Sequence, residues 1–107
     1  MGEEFVAAAK TAEVVEGEPK AVEIGDKSIA LCNVDGKYYA IENICTHDDG
    51  ILVGGEIEGA AIECPRHGAK FDVRTGEVLS MPAVYPVRTF ETKVEDDTVY
   101  VKVNLDE

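Results

Sequence analysis

The chain has 107 residues, 45% of them hydrophobic, and its formal net charge is -12 at pH 7. This length predicts one domain over residues 1–107, with a small core because tryptophan is absent. So acidic a surface excludes nucleic acids and anionic membranes as partners and favours a protein with a basic docking surface. No apolar run reaches the ~20 residues of a membrane helix, and Glu3 and Glu4 stand where a signal peptide carries basic residues. We therefore expect a soluble, cytoplasmic protein.

The first part of the chain reads as a succession of short strands. Residues 5–9 are a candidate edge strand, and residues 20–24 are a second candidate that ends at a Gly-Asp pair. Residues 28–34 and 37–41 flank Asp35-Gly36, and an Asp-Gly pair favours the two positive φ angles of a type I′ turn. This stretch therefore predicts a β-hairpin.

The end of the chain predicts a second hairpin. Residues 87–94 and 98–103 flank the acidic turn 95–97, which we interpret as a solvated loop tip. Valines at positions 99, 101 and 103 alternate with polar or amphipathic residues, a pattern typical of a half-buried strand. Between the two ends, residues 42–83 are rich in glycine and contain only short apolar runs, so mostly loops are expected there.

All the candidate metal ligands lie in this glycine-rich middle. The chain has three cysteines and only two histidines, and each histidine lies within three residues of a cysteine, as Cys45-Thr46-His47 and Cys64-Pro65-Arg66-His67. A reducing cytoplasm disfavours disulfides, so metal binding is the first alternative. Cys32 lies in an apolar strand without a nearby histidine, and we interpret it as an inert buried thiol rather than a ligand.

Two thiolates and two imidazoles could bind one tetrahedral zinc ion. The Cys64-x-x-His67 spacing suits zinc, but the single residue between Cys45 and His47 makes chelation of one ion tight. If the cysteines bind one iron and the histidines a second iron, with sulfides as bridges, neighbouring ligands can face different metals.

The motif Cys-x-His, sixteen residues, Cys-x-x-His-Gly resembles that of Rieske [2Fe-2S] proteins, in which two His replace two Cys on one iron. The resemblance implies one [2Fe-2S] cluster per chain, with Cys45 and Cys64 on the buried iron and His47 and His67 on the outer one. It also implies an all-β fold, with an antiparallel sandwich or barrel base (about 1–42 and 84–107) and a smaller inserted cluster-binding subdomain (about 43–83). The similarity extends to other positions, namely Leu52, Gly55, Gly68, Phe71, Asp72, Thr75, Gly76, Pro82 and Pro86.

Five residues of this region have an expected structural role, namely Leu52, Gly68, Pro65, Pro82 and Pro86. Leu52 should cover the cluster from water, and Gly68 should serve as a turn residue that leaves space for backbone N–H groups to approach a bridging sulfide. The prolines should stiffen the loops.

The chain departs from the Rieske proteins of quinol-oxidising complexes, which join the two cluster loops by a disulfide. Gly50 and Arg66 occupy the corresponding positions here. Ala69 and Phe71 likewise replace hydroxyl residues that donate hydrogen bonds to sulfur in those proteins. Donors to sulfur stabilise the more negative reduced state, so their absence lowers the potential. Asp48 and Asp49, beside His47, act in the same direction through charge repulsion.

The resemblance implies an electron carrier rather than an enzyme, since no other catalytic group accompanies the motif. The first hypothesis is a monomeric Rieske-type ferredoxin that passes electrons from a flavin-dependent reductase to a terminal oxygenase. The alternatives are a fixed small subunit of a larger reductase, such as assimilatory nitrite reductase, and a structural zinc module.

Overall fold

The computed structural model describes residues 3–44, 51–65, 68–80 and 85–104. These ranges contain eleven strands and one short 3-10 turn, Thr11–Glu13, but no α-helix, which confirms the all-β fold class. None of their helical residues forms a segment long and apolar enough to cross a membrane. The strands are β1 (Glu3–Lys10), β2 (Lys20–Ile24), β3 (Lys27–Val34), β4 (Lys37–Glu42), β5 (Ile57–Glu58), β6 (Ala61–Glu63), β7 (Lys70–Asp72), β8 (Val78–Ser80), β9 (Thr89–Phe90), β10 (Thr92–Glu95) and β11 (Thr98–Asn104).

The strands form three antiparallel sheets, with the orders β1-β11-β10, β2-β3-β4-β9 and β5-β6-β7-β8. Strand β1 lies at the edge of the first sheet, as the sequence predicts. The β3–β4 hairpin is also confirmed, with φ angles of 53° at Asp35 and 81° at Gly36. Both values are positive, as a type I′ turn requires.

The second sheet is the middle layer of the molecule, and β3 is buried on both of its faces. Ile29 and Leu31 pack with the valines of β11 in one apolar cluster. Ala30 and Cys32, which point to the opposite face, pack with Leu52 and residues of the third sheet in another. A strand covered on both sides needs a continuous apolar run, which explains the sequence Ile-Ala-Leu-Cys at this point.

The C-terminal strand matches its predicted alternation. Val99, Val101 and Val103 are buried, whereas Tyr100 and Lys102 are half-buried. The acidic turn before it is exposed, and Asp96 and Asp97 both have positive φ, so this hairpin also turns tightly.

The predicted single strand over 87–94 is wrong. The structure divides this stretch into β9, which pairs with β4, and β10, which pairs with β11. The chain leaves the second sheet for the first between these strands, so no single strand can serve both partners. Val87 precedes β9 and is buried against the third sheet instead.

The glycine-rich middle has more regular structure than expected from sequence. Its short apolar runs coincide with β5, β6 and β8, which join β7 in the third sheet. Strands of two or three residues are too short to show alternation, so the sequence does not reveal them. The boundaries of a separate cluster-binding subdomain stay a prediction.

Candidate metal centre

Three of the four predicted ligands, Cys45, His47 and His67, lie outside the described residues. The same is true of Asp48, Asp49, Gly50, Arg66 and Pro82. Within the described ranges, no three His, Cys, Asp or Glu side chains gather in a way that could hold a metal ion. The fourth predicted ligand, Cys64, is described, and its surroundings define one wall of the candidate centre.

Cys64 begins the connection between β6 and β7. Its backbone N–H donates to the carbonyl of Ala69 at 2.7 Å, and its own carbonyl accepts from the N–H of Gly68 at 3.1 Å. These bonds extend the pairing of Glu63 with Lys70 by one step and close the connection at its base. The hairpin therefore holds Cys64 at the end of β6, and His67 follows three positions later in the sequence.

The Cys64 side chain is only 1% exposed, and its thiol is free. It belongs to the apolar cluster that contains Leu52, Ala69 and Phe71, all three fully buried. Cys64 also lines an open cleft of about 500 Å³, together with glycines, Pro65 and two glutamates. A buried thiol that adjoins such a space can act as an inner metal ligand shielded from water.

Two glycines shape the backbone around Cys64, one as a turn residue and the other by allowing a close approach. Gly68 has a φ of 78°, which confirms its role as a turn residue. Its N–H is bonded to the Cys64 carbonyl, so any N–H that reaches a sulfide must come from another residue. A Cβ at Gly55 would overlap the carbonyl oxygen of Glu63, the residue before Cys64. Gly55 thus lets the chain that follows the first predicted ligand pair lie against β6, the strand that ends just before Cys64.

The buried carboxylate of Asp72 stabilises the third sheet at the turn that follows β7. Asp72 accepts hydrogen bonds from the backbone N–H, Nε and Nη2 of Arg74, at 2.8, 3.0 and 2.9 Å. These bonds hold the pKa of Asp72 below its usual value, since they stabilise the carboxylate. They fix the turn between β7 and β8.

Cys32 differs from Cys64 in its position. It lies within β3, fully buried, and burial raises the pKa of its thiol to about 12. A metal ligand must be a thiolate, and burial of this kind opposes the charge. The predicted burial is confirmed, and its exclusion from the ligands stays a prediction.

Two features of the surroundings escaped the sequence analysis. Glu56 and Glu63 both line the cleft beside Cys64, which adds negative charge where the sequence indicated only Asp48 and Asp49. Asn43 is buried, and its side-chain oxygen accepts from the backbone N–H of Leu52 at 2.9 Å. The sequence offered one signal for Asn43, namely a polar residue between an apolar strand and the first predicted ligand pair.

Comparison with known proteins identifies the family. The family model of the Rieske [2Fe-2S] domain matches residues 4–91. The chain belongs to the Rieske [2Fe-2S] family. It is 37% identical over 103 residues to the ferredoxin component of naphthalene 1,2-dioxygenase/salicylate 5-hydroxylase systems of Ralstonia sp., covering 96% of this chain and 99% of that relative.

Solved structures of Rieske ferredoxins have the same fold. The Sphingomonas yanoikuyae B1 ferredoxin superposes with a TM-score of 0.89 and 35% identity, covering 94% of this chain and 99% of that one. A chain from the complex of reduced oxygenase and oxidized ferredoxin in carbazole 1,9a-dioxygenase gives a TM-score of 0.84 and 34% identity, covering 91% of each chain.

Family membership confirms the predicted cofactor, one [2Fe-2S] cluster per chain. The described residues fit such a group, since Cys64 supplies a free, buried thiol at a cleft with glycine in its walls. Fully buried Leu52, Ala69 and Phe71 supply the apolar surroundings that keep water away from an inner iron.

Proposed function

We propose that this Rieske protein is the ferredoxin component of an aromatic-ring dioxygenase system. It carries single electrons from a flavin-dependent reductase to a terminal oxygenase. The observation that carries the proposal is its likeness along 96% of its length to a dioxygenase ferredoxin component. The similar chain found in a complex of an oxygenase and a ferredoxin supports the same partner class.

We assign the cluster ligands as Cys45 and Cys64 on the inner iron and His47 and His67 on the outer iron. The free, buried thiol of Cys64 supports its inner position. Both histidines of the chain fall in the family's ligand pattern, and imidazole edges at the surface would let an electron leave. When bound, the cluster supplies a one-electron redox couple. The chain's own residues position it, exclude water and set its potential.

The surroundings of Cys64 favour a low potential. Ala69 and Phe71 are fully buried beside it and have no hydroxyl to donate to sulfur. The carboxylates of Glu56 and Glu63 at the cleft oppose the additional negative charge of the reduced state. Rieske centres span about -150 to +300 mV, and we place this one near the lower end. It therefore accepts electrons from a nicotinamide-linked flavin reductase rather than from a quinol.

Substitution at these two positions tests the argument. Ala69→Ser and Phe71→Tyr each add a donor near sulfur, and each should raise the midpoint potential measured by voltammetry. Ala69→Val, which adds bulk without a donor, is the control for altered packing. A wild-type midpoint well above zero millivolts would contradict the assignment to the low-potential branch.

Charge determines the kind of partner. At a net charge of -12, the chain should associate with a basic docking surface on both the reductase and the oxygenase. Ile51 and Leu79 are exposed apolar residues, and in sequence each lies next to or near a segment proposed to surround the cluster. Weak, salt-dependent docking of a monomer suits a carrier that must leave each partner in turn. We place this exchange in the cytoplasm.

The decisive experiment measures composition and electron transfer together. Purified protein should contain two irons and two acid-labile sulfides, and it should mediate single-electron transfer between a flavin reductase and a terminal oxygenase. Stoichiometric zinc in a colourless protein would support the structural module instead. A large chain that copurifies in fixed ratio would support the reductase-subunit alternative.

A further inference from the structure

Asn43 makes an unusual set of contacts for a residue at the end of a strand. It directly follows β4, two positions before Cys45, and is only 6% exposed. Its Oδ1 accepts from the backbone N–H groups of Leu52 and Val53, both at 2.9 Å. Its Nδ2 donates to Oγ of Ser28 at 3.1 Å, and its backbone N–H donates to the Ser28 carbonyl at 3.0 Å.

We propose that Asn43 is a positioning residue for the [2Fe-2S] cluster. Its side chain joins the two ends of the segment that contains Cys45 and His47, and it anchors both ends to strand β3. This inference rests on the proposed ligand assignment and extends it to a residue that touches no metal.

The geometry explains why an amide suits this position. One end of the side chain must accept from two backbone N–H groups nine and ten residues further along the chain, and the other must donate to Ser28. Asparagine does both without charge. Alanine would leave the buried Leu52 N–H without this acceptor and would remove the cross-link between Asn43 and residues 52–53.

Leu52 connects this cross-link to the centre. Its backbone is held by Asn43, while its fully buried side chain packs in the same apolar cluster as Cys64. The amide of Asn43 therefore fixes the residue expected to shield the cluster, in addition to the ends of the ligand segment.

A purely structural role would give a different result, and Asn33 offers the matched control. Its Nδ2 donates to the Val14 carbonyl and its Oδ1 accepts from the Gly36 N–H, both at 3.0 Å. These bonds join parts of the chain that contain no proposed ligand. Asn33→Ala thus removes a comparable set of side-chain bonds away from the centre.

The test compares holoprotein of the wild type, Asn43→Ala and Asn33→Ala. It measures iron release to a chelator under native conditions and the electron paramagnetic resonance g values of the reduced cluster. Asn43→Ala removes all three side-chain bonds. Loss of the two that hold Leu52 and Val53, at roughly 3- to 10-fold each, should make iron release about 10- to 100-fold faster and shift the g values. Asn33→Ala should lower the thermal midpoint but leave the g values unchanged. Equal iron-release rates and g values in the two variants would overturn the inference.

Asn43→Asp keeps the test decisive if Asn43→Ala fails to fold. The carboxylate retains the acceptor for both N–H groups, and the Ser28 hydroxyl can donate to it in place of the lost Nδ2–H bond. Iron release should therefore stay close to the wild-type rate, while the added charge lowers the midpoint potential. Rapid iron loss or an unchanged potential in this variant would overturn the positioning role. A His47→Ala protein that keeps two irons would instead overturn the ligand assignment, so the two failures are distinguishable.

Discussion

Replacement of Gly55 by alanine tests whether close contact between two backbones is needed to hold the cluster. The new Cβ would overlap the Glu63 carbonyl oxygen and lie 3.3 Å from the Leu52 carbonyl oxygen. An ordinary contact needs about 3.5 Å or more, so the two chain segments must separate. The separation would move Leu52 on one side and the start of the Cys64 connection on the other.

The expected cost follows from the bonds at this contact. The Gly55 N–H donates to the Leu52 carbonyl at 3.1 Å, and the Glu63 N–H donates to the Glu56 carbonyl at 3.0 Å. Loss of both costs about 2 kcal/mol, and poorer packing of the buried leucine adds about 1 kcal/mol. A loss of ~3 kcal/mol is a large part of the roughly 5–15 kcal/mol that stabilises a typical domain. It should lower the thermal midpoint by roughly 13 °C.

Gly59→Ala is the control within the same sheet. Gly59 has a φ of 63°, but a Cβ there meets nothing within 4 Å, so this variant pays only the backbone strain of about 1–2 kcal/mol. Calorimetry and iron analysis of both holoproteins check the prediction. Gly55→Ala should lose iron, whereas Gly59→Ala should retain it. A Gly55→Ala protein with full iron and the midpoint of the control would refute the reasoning.

Three further predictions concern Gly76, Asp72 and Cys32. Gly76→Ala places a Cβ against a backbone oxygen at a φ of 83°, and urea unfolding should show a loss of about 3 kcal/mol in unfolding free energy. Gly36→Ala has a similar φ but open space around the new Cβ, so it should lose only about 1 kcal/mol. The lowered pKa of Asp72 stabilises the fold above its unfolded pKa of about 3.9, and this contribution is lost as the pH falls through the folded value. The difference in unfolding free energy between the wild type and Asp72→Asn should therefore narrow below pH 4. The contribution of Arg74 to stability should weaken in salt. Cys32→Ala should keep both irons and lose about 1 kcal/mol of unfolding free energy. Iron loss in a colorimetric assay would contradict the exclusion of Cys32 from the ligands.

The sequence by itself determined the features that depend on local chemistry. The Asp35-Gly36 pair predicts its turn because few residue pairs accept two positive φ angles, and the valine alternation in β11 predicts the buried face of that strand. The cofactor was predicted from the resemblance of the two Cys/His pairs to the Rieske motif, because residue types and spacing alone left a zinc site open.

Only the tertiary structure decided the features that depend on contacts between distant segments. Residues 87–94 carry no local signal that the chain changes sheets, because the choice between β4 and β11 as a partner lies in packing. Asn43 is an ordinary polar residue until the fold brings Leu52 to its side chain, and Gly55 is an ordinary loop glycine until Glu63 packs against it. These contacts join residues eight or nine positions apart, which matches neither the helix nor the strand period, so composition and periodicity contain no trace of them.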